Sequence, residues 1–334
     1  MAKTWTPKLK AEQYNRIKEG EWFEFIDFNE AREQHKKNIQ MCRNAVEEYN
    51  QADRPLRIFA IHGSGRSTNN TCAYELSNSK LFLQESLKAT EEVDPSIEID
   101  QISLRDYNIE PCNNCVSTTS TLCGFPCDCF PFDPMQQIYP KLLRSDIIFC
   151  STGVNQSTMS TRLKAMCDRM ISLDGGFFRE VWNPKDGEFK DRMLALSASG
   201  NIAYDQRLYG RVGAYFISAK DELNKHPTVN LLHHLEARKS AGLPHNSLYD
   251  TGFCEMTAHV LRDGMEAYGF FHAPNYYACA PANPDEDYMY DKEYMMNDLE
   301  ALDTGKQVVK DAIALAKELK ENLPEFYPDR FNRT

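Results

Sequence analysis

The sequence predicts an α/β fold built on a five-stranded parallel sheet with helices on both faces. Three observations lead there. From Leu56 onward, short β-branched and aromatic runs alternate with segments of helical periodicity, as expected where crossover helices link parallel strands. The chain has 334 residues, 42% of them apolar, which is enough to bury a full core. It carries no internal repeat and no low-complexity tract, so it reads as one large domain with additions.

Residues 1–54 are polar and highly charged, and "NEAREQHKKNIQMCRNAVEEYNQ" reads as one amphipathic helix that "ADRP" breaks. This stretch is expected to be an N-terminal helical arm, followed by the main domain over 55–322 and a tail at 323–334. Strands are expected at Arg57–Ile61, Ile97–Leu104, Asp146–Ser151, Arg192–Ser197 and Gly269–Pro274. Helices are expected near Asn70–Thr90, Pro134–Leu143, Thr158–Leu173, Gly252–Tyr268 and Met295–Glu321. Residues 202–250 are too long for a simple connection and read as a helical insertion. The acidic run "NPDEDYMYDKEYMMND" reads as a solvated loop, or as a cap over a pocket or dimer contact.

Charge and patterning exclude several classes. A net charge of -11 with dispersed basic residues argues against a nucleic-acid partner, which needs a concentrated cationic face. The start "MAKTWTPKLK" has no apolar leader, and no window approaches the roughly 18 apolar residues of a spanning helix, so no membrane partner and a cytoplasmic location are expected. Of eleven cysteines, five fall between Cys112 and Cys129, a clustering that suits a local metal or redox centre better than a disulfide framework.

The turn "HGSGRSTNNT", residues 62–71, joins the first strand to the first helix. There backbone N–H groups and the positive end of a helix dipole meet, which makes an anion site. It lacks the Gly-Lys-Ser/Thr ending of a P-loop, and Thr68 stands where a dinucleotide fingerprint needs its third glycine. What remains is a set of short donors: Ser64, Ser67, Thr68, Asn69, Asn70 and Thr71, with Arg66 adding a charge-assisted bond. Such a turn suits a phosphate monoester; an N-capping turn without ligand is the other reading. His62 reads either as a neighbour of that phosphate or as a packed side chain.

In doubly wound sheets ligands lie beyond the carboxyl ends of the strands. Thr152, Gly153, Val154, Asn155, Gln156 and Ser157, after the third expected strand, should therefore meet whatever the first turn holds. Asn155 and Gln156 can hydrogen-bond a polar ring edge, or form an ordinary polar loop. "SASGN", ending the fourth expected strand, brings Ser199 and the flexible Gly200 to the same place.

These residues carry a resemblance. The chain resembles the NADPH-dependent FMN reductase group of flavodoxin-like proteins, especially its iron-sulfur flavoproteins. In that group the first turn reads approximately G-S-P-R-x-x-S-N-T; here it is "GSGRSTNNT", with Gly65 in place of proline. The second landmark, T-P-x-Y-x-x-x-x-S-x-x-L-K-x-x-x-D-R, appears as "STGVNQSTMSTRLKAMCDR". Ser160, Leu163, Lys164, Asp168 and Arg169 match, whereas Gly153 replaces the proline and Asn155 the tyrosine that often lies near the flavin ring. The likeness covers roughly residues 56–201 well and 252–321 loosely.

The resemblance extends to "CNNCVSTTSTLCGFPCDC". The iron-sulfur flavoproteins carry C-x2-C-x2-C-x(4 to 7)-C followed by an acidic residue and a methionine. Cys112, Cys115, Cys123 and Cys129 supply four ligands, and Asp133 and Met135 follow in the expected place. The middle gap holds seven residues rather than two, and Cys127 is surplus. Thiolates suit a 4Fe-4S cluster or zinc, and unligated or disulfide-linked thiols are a third reading. The other cysteines, at positions 42, 72, 150, 167, 254 and 279, read as core residues. His233 and His234, adjacent in sequence, would point about 100° apart on a helix and are assigned no metal.

The resemblance implies a flavodoxin-like fold, bound FMN and NAD(P)H as co-substrate. The expected activity is electron transfer from NAD(P)H or a reduced carrier, through FMN and a 4Fe-4S cluster where one is present, to a small-molecule or protein acceptor. The cofactor performs the chemistry, so no catalytic side chain is named. An electron carrier without its own substrate and a flavin-free binding module are the rival readings. Family members are commonly homodimers or homotetramers.

Overall fold

Structure is described here, from a computed structural model, for residues 28–51, 53–65, 77–114, 123–127, 129–155, 158–174, 207–219, 253–281 and 296–322. In chain order the elements are α1 (Phe28–Tyr49), β1 (Arg57–His62), α2 (Asn78–Leu87), α3 (Ala89–Val93), β2 (Glu98–Ser103), α4 (Met135–Arg144) and β3 (Ile147–Gly153). Then follow α5 (Thr161–Arg169), β4 (Val212–Ala219), α6 (Phe253–Glu266), β5 (Tyr277–Pro281) and α7 (Leu299–Asn322). The five strands form one sheet in the order β2-β1-β3-β4-β5, and every neighbouring pair is parallel. This is the doubly wound flavodoxin-like order, whose switch point lies between β1 and β3.

Strand periodicity sorts the apolar side chains into two cores. Phe59, Ile61, Ile148, Cys150, Tyr215 and Ile217 point to one face, where α1, α4, α5 and α6 cover them. Ile58, Ala60, Ile147, Phe149, Ala214 and Phe216 point to the other, under α2 and α7. The central strands are buried on both sides, so β4 is buried along its whole length, while edge strand β2 exposes Glu98 and Ile99. Helix α1 joins the first core through Cys42, Ala45 and Val46, and Asn38 donates to the carbonyl of Pro131 at 2.7 Å.

The amino ends of the strands are fastened by a buried ion pair. Arg54 grips Asp146 through two bonds of 2.6 and 2.7 Å, and the Arg57 amide donates to the same carboxylate at 2.8 Å. The Asp146 amide donates to the Arg57 carbonyl and the Asp146 carbonyl accepts from the Val212 amide, so three strands start in register around one residue.

Two expected strands move. Val212–Ala219, which lay inside the expected helical insertion, is the strand beside β3; Arg192–Ser197 lies outside the described residues. The fifth strand is Tyr277–Pro281 instead of Gly269–Pro274, because Tyr277–Pro281 pairs with β4 over its length, whereas Phe271 makes only a single bridge to Val212. The first crossover helix is described from Asn78, and residues 66–76 lie outside the described set.

Candidate functional site

The site is built where β1, β3 and β4 end. Beyond His62 the chain turns at Gly63, whose amide donates to the Ser151 carbonyl at 2.8 Å. A Cβ on Gly63 would stand 2.8 Å from that oxygen and 2.9 Å from Cβ of Leu163, so only glycine lets the turn lie so close to β3 and α5. Ser64 is half-buried and Gly65 is exposed at the crevice.

The second wall is the loop after β3. The Ser160 hydroxyl caps α5 by accepting from the Leu163 amide at 3.3 Å and donates to the carbonyl of Gly63. The Ser160 amide donates to Thr152 Oγ1 at 2.9 Å, and that hydroxyl donates to the Gly153 carbonyl. Val154 donates to the Ser218 carbonyl at 2.9 Å, which ties the loop to the end of β4. Asn155 and Thr158 exchange backbone bonds of 2.7 and 3.2 Å and close a tight turn. Gly153 differs from Gly63: a Cβ there would meet nothing closer than 3.8 Å. The first turn and the β3 loop thus form one bonded unit, with Ser160 as the link.

Of the expected site residues, Ser64, Thr152, Gly153, Val154 and Asn155 come together in this unit. Thr152 is fully buried and acts on the loop's backbone; Asn155 is exposed. Arg66, Ser67, Asn69, Asn70, Thr71, Gln156, Ser157, Ser199 and Gly200 lie outside the described residues. The residues that close β4 are Ser218 and Ala219, so "SASGN" does not end that strand. Sequence reasoning missed Ser218, whose signal was the run "VGAYFISA".

His62 takes the packed alternative. It is 2% exposed, between Ser151 Oγ at 3.2 Å and Gln101 Oε1 at 3.1 Å, and burial pulls its pKa down to about 4. A neutral imidazole brings no positive charge to a phosphate.

The cysteine segment lies against α4 and α5. Cys123 and Cys127 are buried, while Cys112 and Cys129 are half-exposed. Asp133 holds the segment's two ends: its carboxylate accepts from the amides of Glu110 and Met135, each at 2.8 Å. Gln136 donates to the carbonyls of Cys127 and Phe130, and Arg169 donates to the Glu110 carbonyl while stacking on Phe130. Asp133 and Arg169, both placed by the resemblance, therefore act here as fasteners of the loop. Among the described residues no three His, Cys, Asp or Glu side chains are grouped as metal ligands; Cys115, one of the four expected ligands, lies outside the described set.

With this geometry in hand, comparison with known proteins is specific on one point. Residues 56–208 match the family model of NADPH-dependent FMN reductase. This segment is FMN reductase-like. Its boundaries run from the start of β1 past the loop that Ser160 anchors. Among solved structures, RosB with the bound intermediate 8-demethyl-8-formylriboflavin-5'-phosphate is 11% identical over 80% of this chain and 81% of its own, with a TM-score of 0.50. An FMN-dependent NADH-azoreductase from Bacillus anthracis in complex with FMN is 15% identical over 79% and 99%, with a TM-score of 0.40. An NAD(P)H:quinone oxidoreductase from Methanothermobacter marburgensis is 12% identical over 76% and 98%, at 0.41. The likeness to RosB is one of fold. No curated protein matches the chain in sequence. Among the described residues no helix is long and apolar enough to cross a membrane.

Proposed function

We propose that the protein is an FMN-dependent oxidoreductase that takes electrons from NAD(P)H or a reduced carrier and delivers them to a small-molecule or protein acceptor. The observation that carries this reading is the bonded pair of loops at the β1/β3 switch point, Gly63–Gly65 and Thr152–Ser160, inside the segment that matches the reductase family. The donor chemistry fits the cofactor. The sequence of the first turn supplies amides and hydroxyls for a phosphate, and a Cβ on Gly153 would meet only Ser218, at 3.8 Å.

In this reading Ser64, Arg66, Ser67, Asn69, Asn70 and Thr71 hold the phosphate, and Thr152 to Ser157 line the ring, with Ser199 and Gly200 as further candidates. FMN, when bound, supplies hydride acceptance and onward electron donation. The chain's own residues position and shield. Ser160 fixes the spacing of the two loops, the Val154 to Ser218 bond fixes the loop against β4, and paired backbone bonds between Asn155 and Thr158 hold the loop closed. No side chain is required to donate or remove a proton.

A 4Fe-4S cluster on Cys112, Cys115, Cys123 and Cys129 stands apart from this reading. Cys115 lies outside the described residues, and no step is routed through iron. A homodimer or homotetramer, with a cytoplasmic location, belongs to the proposal as well.

The test is one preparation purified without oxygen. Flavin absorption that bleaches on adding NADH or NADPH and returns with an acceptor supports the proposal; protein that binds no flavin when supplied with FMN removes it. Iron and sulfide analysis of the same sample decides the cluster.

A further inference from the structure

The departure of Gly65 from the proline of the resembling turn has a counterpart in space. Arg162, in the first turn of α5, extends along the open side of Gly65: a Cβ built on that glycine stands 3.5 Å from Arg162 Nε and 3.8 Å from its Cδ. A side chain at that position would stand in van der Waals contact with Arg162, and a proline ring would occupy the space beside the guanidinium. Arg162 is exposed, and no carboxylate lies within ion-pair distance of it among the described residues. Its Nη1 reaches only the carbonyls of Leu104 and Tyr107, at 3.3 and 3.4 Å, long contacts that cross from α5 over the end of β1 to the segment after β2. A guanidinium with no carboxylate partner among the described residues thus lies beside Gly65, at the start of the expected anion turn.

We propose that Arg162 is a phosphate-binding residue of this site, and that Gly65 and Arg162 form a matched pair in which the glycine makes room for the guanidinium. The inference rests on the FMN reading above. A phosphate monoester carries close to two negative charges at neutral pH, and Arg66 supplies one positive charge. Arg162 supplies the second from beside Gly65, on a helix that Ser160 fixes to Gly63. The neutral His62 cannot do this.

The test compares FMN with riboflavin, which has the same ring and no phosphate, by equilibrium binding to the full-length chain. Arg162→Ala is expected to weaken FMN binding about tenfold or more and to leave riboflavin unchanged, with Arg162→Lys between the two. Gly65→Pro is expected to lose a similar factor, and the double variant no more than the larger single loss. Unchanged FMN preference in Arg162→Ala, with the unmodified chain still favouring FMN, overturns the inference and leaves the function standing. A loss confined to NADPH relative to NADH also overturns it, since the guanidinium then reads the 2'-phosphate of the nucleotide. An unmodified chain that binds neither flavin overturns both readings together.

Discussion

The hydroxyl of Ser160 donates to the carbonyl of Gly63, joining two residues 97 positions apart in the chain. The same hydroxyl accepts from Leu163 as a helix cap. One oxygen therefore sets both where α5 begins and how far the first turn lies from the loop after β3. Ser160→Ala is expected to cost about 1–2 kcal/mol of stability, read by urea denaturation. FMN affinity should fall with it, because the two loops lose their spacing. Full stability with unaltered affinity would remove Ser160 from its linking role.

Gly63→Ala is expected to destabilise by about 1–3 kcal/mol, because the added methyl meets the backbone oxygen of Ser151, which cannot swing aside. Gly153→Ala, whose methyl meets nothing within 3.8 Å, is expected to leave stability nearly unchanged and to act only on flavin binding. Thermal melts with and without FMN separate the two.

Arg66→Ala is expected to weaken FMN retention through dialysis while riboflavin binding stays as it was. Equal retention would place the phosphate elsewhere.

Acid should weaken the fold in a defined window. Burial pulls His62 and His272 from 6.5 to about 4, His272 with added repulsion from Arg262. Between those values the unfolded chain binds protons that the folded chain refuses, so stability is fully present above about 6.5 and is lost as pH falls toward about 4. Each histidine contributes a slope of at most about 1.4 kcal/mol per pH unit. Denaturation curves at several pH values should show this loss, and His62→Gln should flatten it.

Asp146→Asn leaves the Arg54 guanidinium buried without its counter-charge and is expected to cost about 3–5 kcal/mol. Replacing both partners with apolar residues of similar volume should restore much of that loss.

How much of this was legible in the sequence depends on whether the signal was local. β1 and β3 are short apolar runs buried on both faces, and they stand where the sequence puts them. β4 was hidden because "VGAYFISA" carries glycine and alanine directly after its first valine, inside a stretch too long to be a connection. "FFHAP" looks more strand-like than "YACAP", yet the second pairs with β4, and pairing is a long-range property. The residue types of the first turn suggest an anion site, and their proposed role rests on sequence. The turn's supports were not legible: Ser160 reaching Gly63, Val154 reaching Ser218 and Arg162 beside Gly65 join positions far apart in sequence. His62, Asp133 and Arg169 looked like chemistry in one dimension, and their buried partners show them bracing the scaffold.

Because 97 positions of chain separate Gly63 from Ser160, the Gly63 turn is made early in synthesis and anchored late. A growing chain that has not yet released Ser160 from the ribosome has the first turn without the hydroxyl that holds it. On the proposed reading, flavin capture waits until the third strand and its helix have emerged, and a truncated product ending before that point carries the first turn without its anchor.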